Sequence, residues 1–340
     1  MTDVQVPAPT TRKDWQTDQE VRWCPGCGDY GILTAVQMLM PELGVRPENT
    51  VFVSGIGCAA RFPYYMKTYG MHGIHGRAPA IATGLAMARP DLDIWVVGGD
   101  GDLLSIGGNH FIHALRRNVN LTILLFNNMI YGLTKGQYSP TSELGKVTKS
   151  TPAGSIDAPF NPVSVALGAG ATFVARTHDM DRKHMMEVMR RAHDHKGAAV
   201  VEIFQNCNVF NDGAWDTLVT RDNRPDMLID LRHGEPIRFG ADNEKGVVMG
   251  SDGAPRIVEV ADVGEDAILV HDEQRSGPGL AFMLSHLASG VDMPTPVGVF
   301  RAVETTEYAS ASKSQLTAAQ ERSGAGDLSA LLHSLPTWEV

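Results

Sequence analysis

The sequence predicts a doubly wound α/β domain built on a mainly parallel sheet. Three observations carry that reading. Short continuous apolar runs, such as DIWVV (93–97), LTILLF (121–126) and AAVVEIF (198–204), have the length and composition of strands buried on both faces. Segments with helical patterning stand between them, which is the alternation of a parallel sheet wrapped by helices. The chain also carries 35 glycines, many bunched between the apolar runs, where strand-to-helix turns need them.

Each element follows in order. Residues 1–20 are polar, with no basic-then-apolar leader pattern, and read as a flexible arm. Residues 30–40 predict a helix stopped by Pro41, and 50–54 a strand running into Gly55-Ile56-Gly57-Cys58. Residues 79–89 predict a helix, with Pro79 tolerated in its first turn and small residues allowing close packing. The strand at 93–97 ends in Gly98-Gly99-Asp100-Gly101, a helix follows over about 105–117, and the strand at 121–126 ends in Asn127-Asn128. Residues 161–170 predict a helix, 171–175 a strand, and Asp179 caps a helix reaching about Ala192. The strand at 198–204 leads to Gln205-Asn206-Cys207. These elements define a domain at 21–224.

Beyond it the texture turns charged and turn-rich. Residues 225–340 read as a C-terminal extension, an interface arm, with hairpins around 237–239, 246–249 and 257–260 and a strand–helix pair at 267–271 and 278–288.

Composition narrows the function. At 340 residues and 43% hydrophobic, the chain can bury a large core. Its formal charge of −10 argues against nucleic acid, whose phosphates need an excess of Lys and Arg. No apolar run reaches the roughly 18–20 residues of a membrane span, so a cytoplasmic protein is expected. Four cysteines, Cys24, Cys27, Cys58 and Cys207, are too few to staple a chain of this size with disulfides.

Four polar loops each follow a predicted buried strand: Gly57-Cys58, Gly99-Asp100-Gly101, Asn127-Asn128 and Asn206-Cys207. Parallel strands put their carboxyl ends on one edge, where open α/β sheets bind ligands. The glycines suit a phosphate group approached by backbone N–H groups. The Asp100 carboxylate, the Asn128 side-chain oxygen and the Ile130 carbonyl offer hard oxygens to Mg²⁺. The cysteines, one C-x-x-C pair and two singles, suit either zinc or an iron–sulfur cluster, and spacing alone does not choose.

The ordered motifs choose. Trp23-Cys24-Pro25-Gly26-Cys27-Gly28, Gly55-Ile56-Gly57-Cys58, His75-Gly76-Arg77-Ala78, Gly98-Gly99-Asp100-Gly101-Asp102 and Asn127-Asn128-Met129-Ile130-Tyr131-Gly132-Leu133-Thr134-Lys135-Gly136-Gln137 occur in that sequence. GDG followed by Asn-Asn resembles the thiamine-diphosphate enzyme signature. The full set, over about 20–215, is similar to the β subunit of 2-oxoacid:ferredoxin oxidoreductases, most like the 2-oxoglutarate type.

That resemblance implies the diphosphate-binding module of a thiamine-diphosphate fold. It implies a [4Fe–4S] cluster on Cys24, Cys27, Cys58 and Cys207. It implies thiamine diphosphate and Mg²⁺ held by Gly57, Cys58, His75, Gly99, Asp100, Gly101, Asp102, Asn128, Ile130, Tyr131, Gly132 and Leu133. The activity implied is oxidative decarboxylation of 2-oxoglutarate to succinyl-CoA and CO₂, with coenzyme A taking the acyl group and ferredoxin the electrons. Pyruvate or a branched-chain 2-oxoacid is the alternative substrate, and a zinc-stapled binding module the alternative class. Arg61, His75 and Lys135 are the expected catalytic residues: Arg61 for a second carboxylate, His75 with Arg77 at the cofactor or the mouth, Lys135 with Gln137 on a closing loop. Arg116-Arg117 is a solvated helix end or a ferredoxin contact. One diphosphate module and no second α/β module for the aminopyrimidine implies an α subunit, in an α₂β₂ assembly.

Overall fold

The structure is a computed structural model describing residues 11–287, 293–336 and 338. Eleven strands occur among the described residues: β1 (Thr50–Ser54), β2 (Tyr69–His72), β3 (Asp93–Gly99), β4 (Leu121–Asn127), β5 (Phe173–His178), β6 (Ala198–Phe204), β7 (Leu228–Leu231), β8 (Arg238–Phe239), β9 (Lys245–Met249), β10 (Pro255–Glu259) and β11 (Thr295–Ala302). Eight form one sheet in the order β2-β1-β3-β4-β6-β5-β11-β7, and β10-β9-β8 form a small antiparallel sheet. Every pairing in the large sheet is parallel except β11 with β5. The predicted α/β class holds.

Alternation along the strands makes two cores. Val51, Val53, Ile94 and Val96 face one side, under the helices Ala78–Ala88 and Gly108–Arg116. Phe52, Trp95, Val97 and Leu124 face the other, under Asp29–Leu43 and Arg182–Asp194. Because both faces are covered, β1, β4 and β6 are buried along their whole length. That is why they read as unbroken apolar runs.

Several expected boundaries move. The first helix passes through Pro41 and stops at Leu43, with Gly44 in the left-handed conformation at φ 69°. A proline this near the end of a helix forfeits little of the ladder. The third helix begins at Gly108, because Asp100–Leu104 forms its own short helix directly off β3. The fifth strand runs 173–178 rather than 171–175. Asp181, not Asp179, caps the helix Arg182–Asp194, its carboxylate accepting from the His184 N–H at 3.1 Å. Asp179 instead accepts from the Asn206 N–H at 2.8 Å and ties the cysteine loop to the next turn.

The C-terminal segment belongs to the main sheet. β7 and β11 complete it beside β5. The three hairpin strands are present, but 267–271 is no strand, contributing one bridge between Pro236 and Val270. The helix expected at 278–288 is Gly279–Ser285, and residue 288 lies outside the described residues. The arm at 1–20 lies outside them up to residue 10. From there Trp15 is completely buried and Gln16 bridges Met66, so this part is packed rather than free. Among the described residues no helix is long and apolar enough to cross a membrane.

Candidate active site

The carboxyl ends of β1, β3, β4 and β6 lie side by side, because these four strands are adjacent and parallel. All four predicted loops therefore emerge at one edge. A single network of buried polar groups organises them.

Asp100, 1% exposed, starts the short helix after β3. Burial pushes its carboxyl up to about 6, against hydrogen bonds from Ser139 and Thr141. The Thr141 hydroxyl lies 2.5 Å from Asp100 Oδ2 and 2.9 Å from Asn127 Oδ1. Its one hydrogen serves one acceptor at a time, and the other contact needs a proton from the partner. Asn127 is held from behind: its Nδ2 donates to Glu202 at 2.7 Å, and Glu202 pairs with Arg176 at 2.7 Å, both buried. Asn127 Oδ1 also accepts from the Met129 N–H at 3.2 Å, shaping the turn that presents Asn128 and Ile130. Asn128 Oδ1 accepts from the Ile130 N–H at 3.2 Å, closing the same turn.

Asp102 lies one helical step beyond Asp100 and binds the protein itself. Its Oδ1 accepts from the Ile56 N–H at 3.1 Å, the Gly76 N–H at 2.8 Å and His75 Nδ1. It thereby ties the Gly57-Cys58 loop and the His75-Gly76 loop to the end of β3. Its Oδ2 is buried with no partner, and a side chain at Gly55 would collide with the carboxylate. Tyr131 donates to the Gly101 carbonyl at 3.0 Å, and a methyl on Gly101 would strike that ring.

The four cysteines gather beside this network as free thiols. The sulfurs of Cys207 and Cys58 stand 3.5 and 3.7 Å from where a Cβ on Gly132 would sit. Burial pushes the Cys58 thiol up to about 12, with Asp29, Cys207 and Cys24 adding to the effect and Arg61 opposing it. Cys27 is raised by burial and then by Asp29, Cys207 and Cys58. Asp29 itself is 2% exposed and pushed up to about 7 by burial. Among the described residues no group of three or more His, Cys, Asp or Glu side chains closes to single-ion spacing. A zinc site would need four ligands converging on one point, about 2.3 Å from each sulfur. Four thiols around a cube of iron and sulfide need not converge in that way.

A cavity of about 450 Å³ opens beside the loops. Its lining includes Gly57, Leu133, Arg22, Arg61 and His72. Arg61 Nη1 donates to the Arg22 carbonyl at 2.8 Å, which fixes the guanidinium at the wall. His75 is not in that lining but packs edge-on against Tyr131, ring centres 6.2 Å apart. Lys135 is exposed on a tight turn at φ 76° and lies outside the cavity wall. Arg116 and Arg117 end a helix, Arg116 exposed and Arg117 half-buried, and do not line the cavity.

The arrangement fits a magnesium diphosphate on two counts. Gly57, at φ 134°, has open space where a side chain would be, leaving backbone room for a phosphate. Asp100 is a buried carboxylate beside the Asn128–Ile130 turn, a hard-oxygen set. The Cys27 and Cys58 thiolates are disfavoured by burial, and iron would stabilise them, so this pair fits a cluster with Cys24 and Cys207 beside it. Thr141, Ser139, Glu202, Arg176 and Gln205 were missed from sequence, since single polar residues in or after apolar strands carry no motif.

The family described as "Thiamine pyrophosphate enzyme, C-terminal TPP binding domain" matches residues 55–203. The chain is 59% identical to 2-oxoglutarate oxidoreductase subunit KorB of Mycobacterium tuberculosis, over 98% of this chain and 89% of that one. It is 48% identical to the 2-oxoacid:ferredoxin oxidoreductase subunit beta of Saccharolobus solfataricus, over 56% of this chain and 63% of the relative. A solved 2-oxoglutarate:ferredoxin oxidoreductase from Magnetococcus marinus, with 2-oxoglutarate, coenzyme A and succinyl-CoA bound, superposes with a TM-score of 0.75. That chain is 34% identical, and the match covers 96% of this chain and 97% of the other.

Proposed function

Because this chain belongs to the β-subunit family of 2-oxoacid:ferredoxin oxidoreductases, we propose that it converts 2-oxoglutarate and coenzyme A to succinyl-CoA and CO₂. Electrons leave through a [4Fe–4S] cluster to ferredoxin. Thiamine diphosphate, when bound with Mg²⁺, supplies the electron sink that a decarboxylating 2-oxoacid needs.

The protein's own residues do the rest. Asp100, Asn128 and the Ile130 carbonyl hold the metal, Gly57 and Gly99 leave room for the diphosphate, and Gly101 presents its backbone there with Tyr131 packed on its other side. Asp102 keeps His75 and the Gly57-Cys58 loop in place through its hydrogen bonds. Cys24, Cys27, Cys58 and Cys207 hold the cluster. Arg61 takes the distal carboxylate of 2-oxoglutarate, a charge-assisted contact that pyruvate cannot make. His75 and Lys135 act at the cofactor rim and on the adjoining loop. The observation that carries the reading is the shared cavity, whose lining includes both Arg61 and the Gly57 and Leu133 positions.

The described residues form one diphosphate-type sheet, so an α subunit supplies the aminopyrimidine side, in an α₂β₂ assembly. Four free thiols suit a reducing compartment, and the cytoplasm is the proposed location. The test is anaerobic expression with and without the α subunit. Iron, thiamine diphosphate and oxoacid-dependent viologen reduction are then measured with 2-oxoglutarate, pyruvate and a branched-chain acid. Turnover with 2-oxoglutarate in the assembled protein alone is expected. Substantial turnover by the lone chain, or a preference for pyruvate, overturns the corresponding part.

A further inference from the structure

One buried residue touches both proposed centres. Gln205 follows β6 and is completely inaccessible to solvent. Its Nε2 donates to Cys27 Sγ at 3.3 Å, and its Oε1 accepts from Asn128 Nδ2 at 2.8 Å. The second Nε2 hydrogen goes to the Asn206 carbonyl.

The polarity of this chain is set at both ends by the backbone. The Ile130 N–H can only donate, so it requires the oxygen of Asn128 and leaves the Asn128 NH₂ for Gln205. The Asn206 carbonyl can only accept, so it requires the NH₂ of Gln205 beside Cys27. No orientation other than N–H toward sulfur satisfies both ends.

We propose that Gln205 is a positioning residue that couples the two centres, fixing Asn128 with its oxygen while its N–H raises the reduction potential of the cluster through Cys27. The inference rests on the reading above, in which Asn128 binds the metal and Cys27 the cluster. Physically, a hydrogen bond to a thiolate sulfur favours the cluster state with more negative charge, which is the reduced one. A residue that is fully buried and donates two hydrogen bonds while accepting one has nothing left over for packing variation. Its amide is committed to these contacts.

Two substitutions separate the roles. Gln205→Leu removes donor and acceptor together. Gln205→Glu, titrated at a pH where it is ionised, keeps an oxygen for Asn128 Nδ2 and has no hydrogen to give to sulfur. Both are measured in the anaerobic, assembled protein by redox titration of the reduced-cluster paramagnetic signal, alongside iron content and calorimetric titration with Mg²⁺ and thiamine diphosphate. Both variants are expected to give a more negative midpoint. The reduced-to-oxidised ratio at fixed poise should fall about tenfold, or 59 mV for one electron. Cofactor affinity should fall several-fold in Gln205→Leu and hold in Gln205→Glu. An unchanged midpoint in both variants with full iron overturns the coupling, and so does iron loss in both, which makes Gln205 purely structural. Absence of the cluster signal in the unaltered protein would instead overturn the underlying ligand assignment.

Discussion

Replacing Asp102 by alanine removes the carboxylate that ties two loops to the end of β3. Its Oδ1 serves the Gly76 and Ile56 N–H groups and His75. Gly76 is buried, so its N–H would be left without a partner, at a cost of about 2 kcal/mol. Ile56 is half-buried and partly regains water, so about 1 kcal/mol is assigned to it. The void beside Gly55 and Gly98 adds a little more. The expected loss is therefore about 3 kcal/mol, which at roughly 2 °C per kcal/mol lowers the melting temperature by about 6 °C. Asp102→Asn keeps an acceptor oxygen in the same place and should lose about 1 kcal/mol. Thermal melts of the cofactor-free chain, at one scan rate, measure all three proteins. Calorimetric titration with thiamine diphosphate then asks whether loosening the Gly57 loop weakens the site. A loss below about 1 kcal/mol in Asp102→Ala, with the Asn variant no different, would refute the argument that this carboxylate organises the loops.

Three further outcomes are expected. Arg61→Ala should reduce kcat/KM for 2-oxoglutarate about tenfold more than for pyruvate, since a charged hydrogen bond is worth about 1.5–3 kcal/mol; equal losses would assign Arg61 to the wall alone. Cys58→Ala should lower bound iron in anaerobically purified protein, whereas Asp100→Ala should weaken cofactor binding and leave iron intact; colorimetric iron assay and titration distinguish them, and full iron in Cys58→Ala would break the ligand set. The cofactor-free chain should lose stability as pH rises. Burial raises Asp29 from 3.8 to about 7, so its contribution is complete below the unfolded value and is lost as pH climbs through about 7. His178, depressed from 6.5 to about 4, destabilises in the opposite direction as pH falls below 6.5, whereas His193, raised against its burial by Asp93 and Asp194, adds to the loss as pH rises, in wild type and variant alike. Asp29→Asn should therefore flatten the melting temperature between about pH 6.5 and 8, and an unchanged slope would remove Asp29 from the explanation.

The sheet was legible where burial is two-sided. Val51, Phe52 and Val53, or Ile123 through Phe126, are apolar at every position because helices cover both faces, and such runs announce themselves. The edges were not legible. β2 is exposed along its length and reads YGMH, which has no strand pattern, while β11 carries Pro296 and Gly298 inside a strand. Gly298 sits at φ 93°, a bend that breaks the periodic signal. The long helix Tyr308–Ser323 buries only Ala309, so it has no apolar stripe to find. At the site, glycines and cysteines were visible as motifs, whereas Thr141 acts on Asp100 across 41 positions and Glu202 on Asn127 across 75. Only folding brings such pairs together, and a lone threonine or glutamate offers no spacing to read. Asp102 was legible as a site residue, but the sequence could not say that its partners would be the chain's own N–H groups.

The antiparallel seating of β11 against β5 bears on how this protein can be handled. β5 is buried at all six positions and lies between β6 and β11, while Arg176 reaches across to the Pro296 carbonyl at 3.2 Å. A chain shortened to the motif-bearing residues would bare that flank as an apolar strand with an unpaired ladder and strip Arg176 of a partner. Such an edge recruits whatever strand it meets, so the shortened chain should precipitate rather than yield a minimal enzyme.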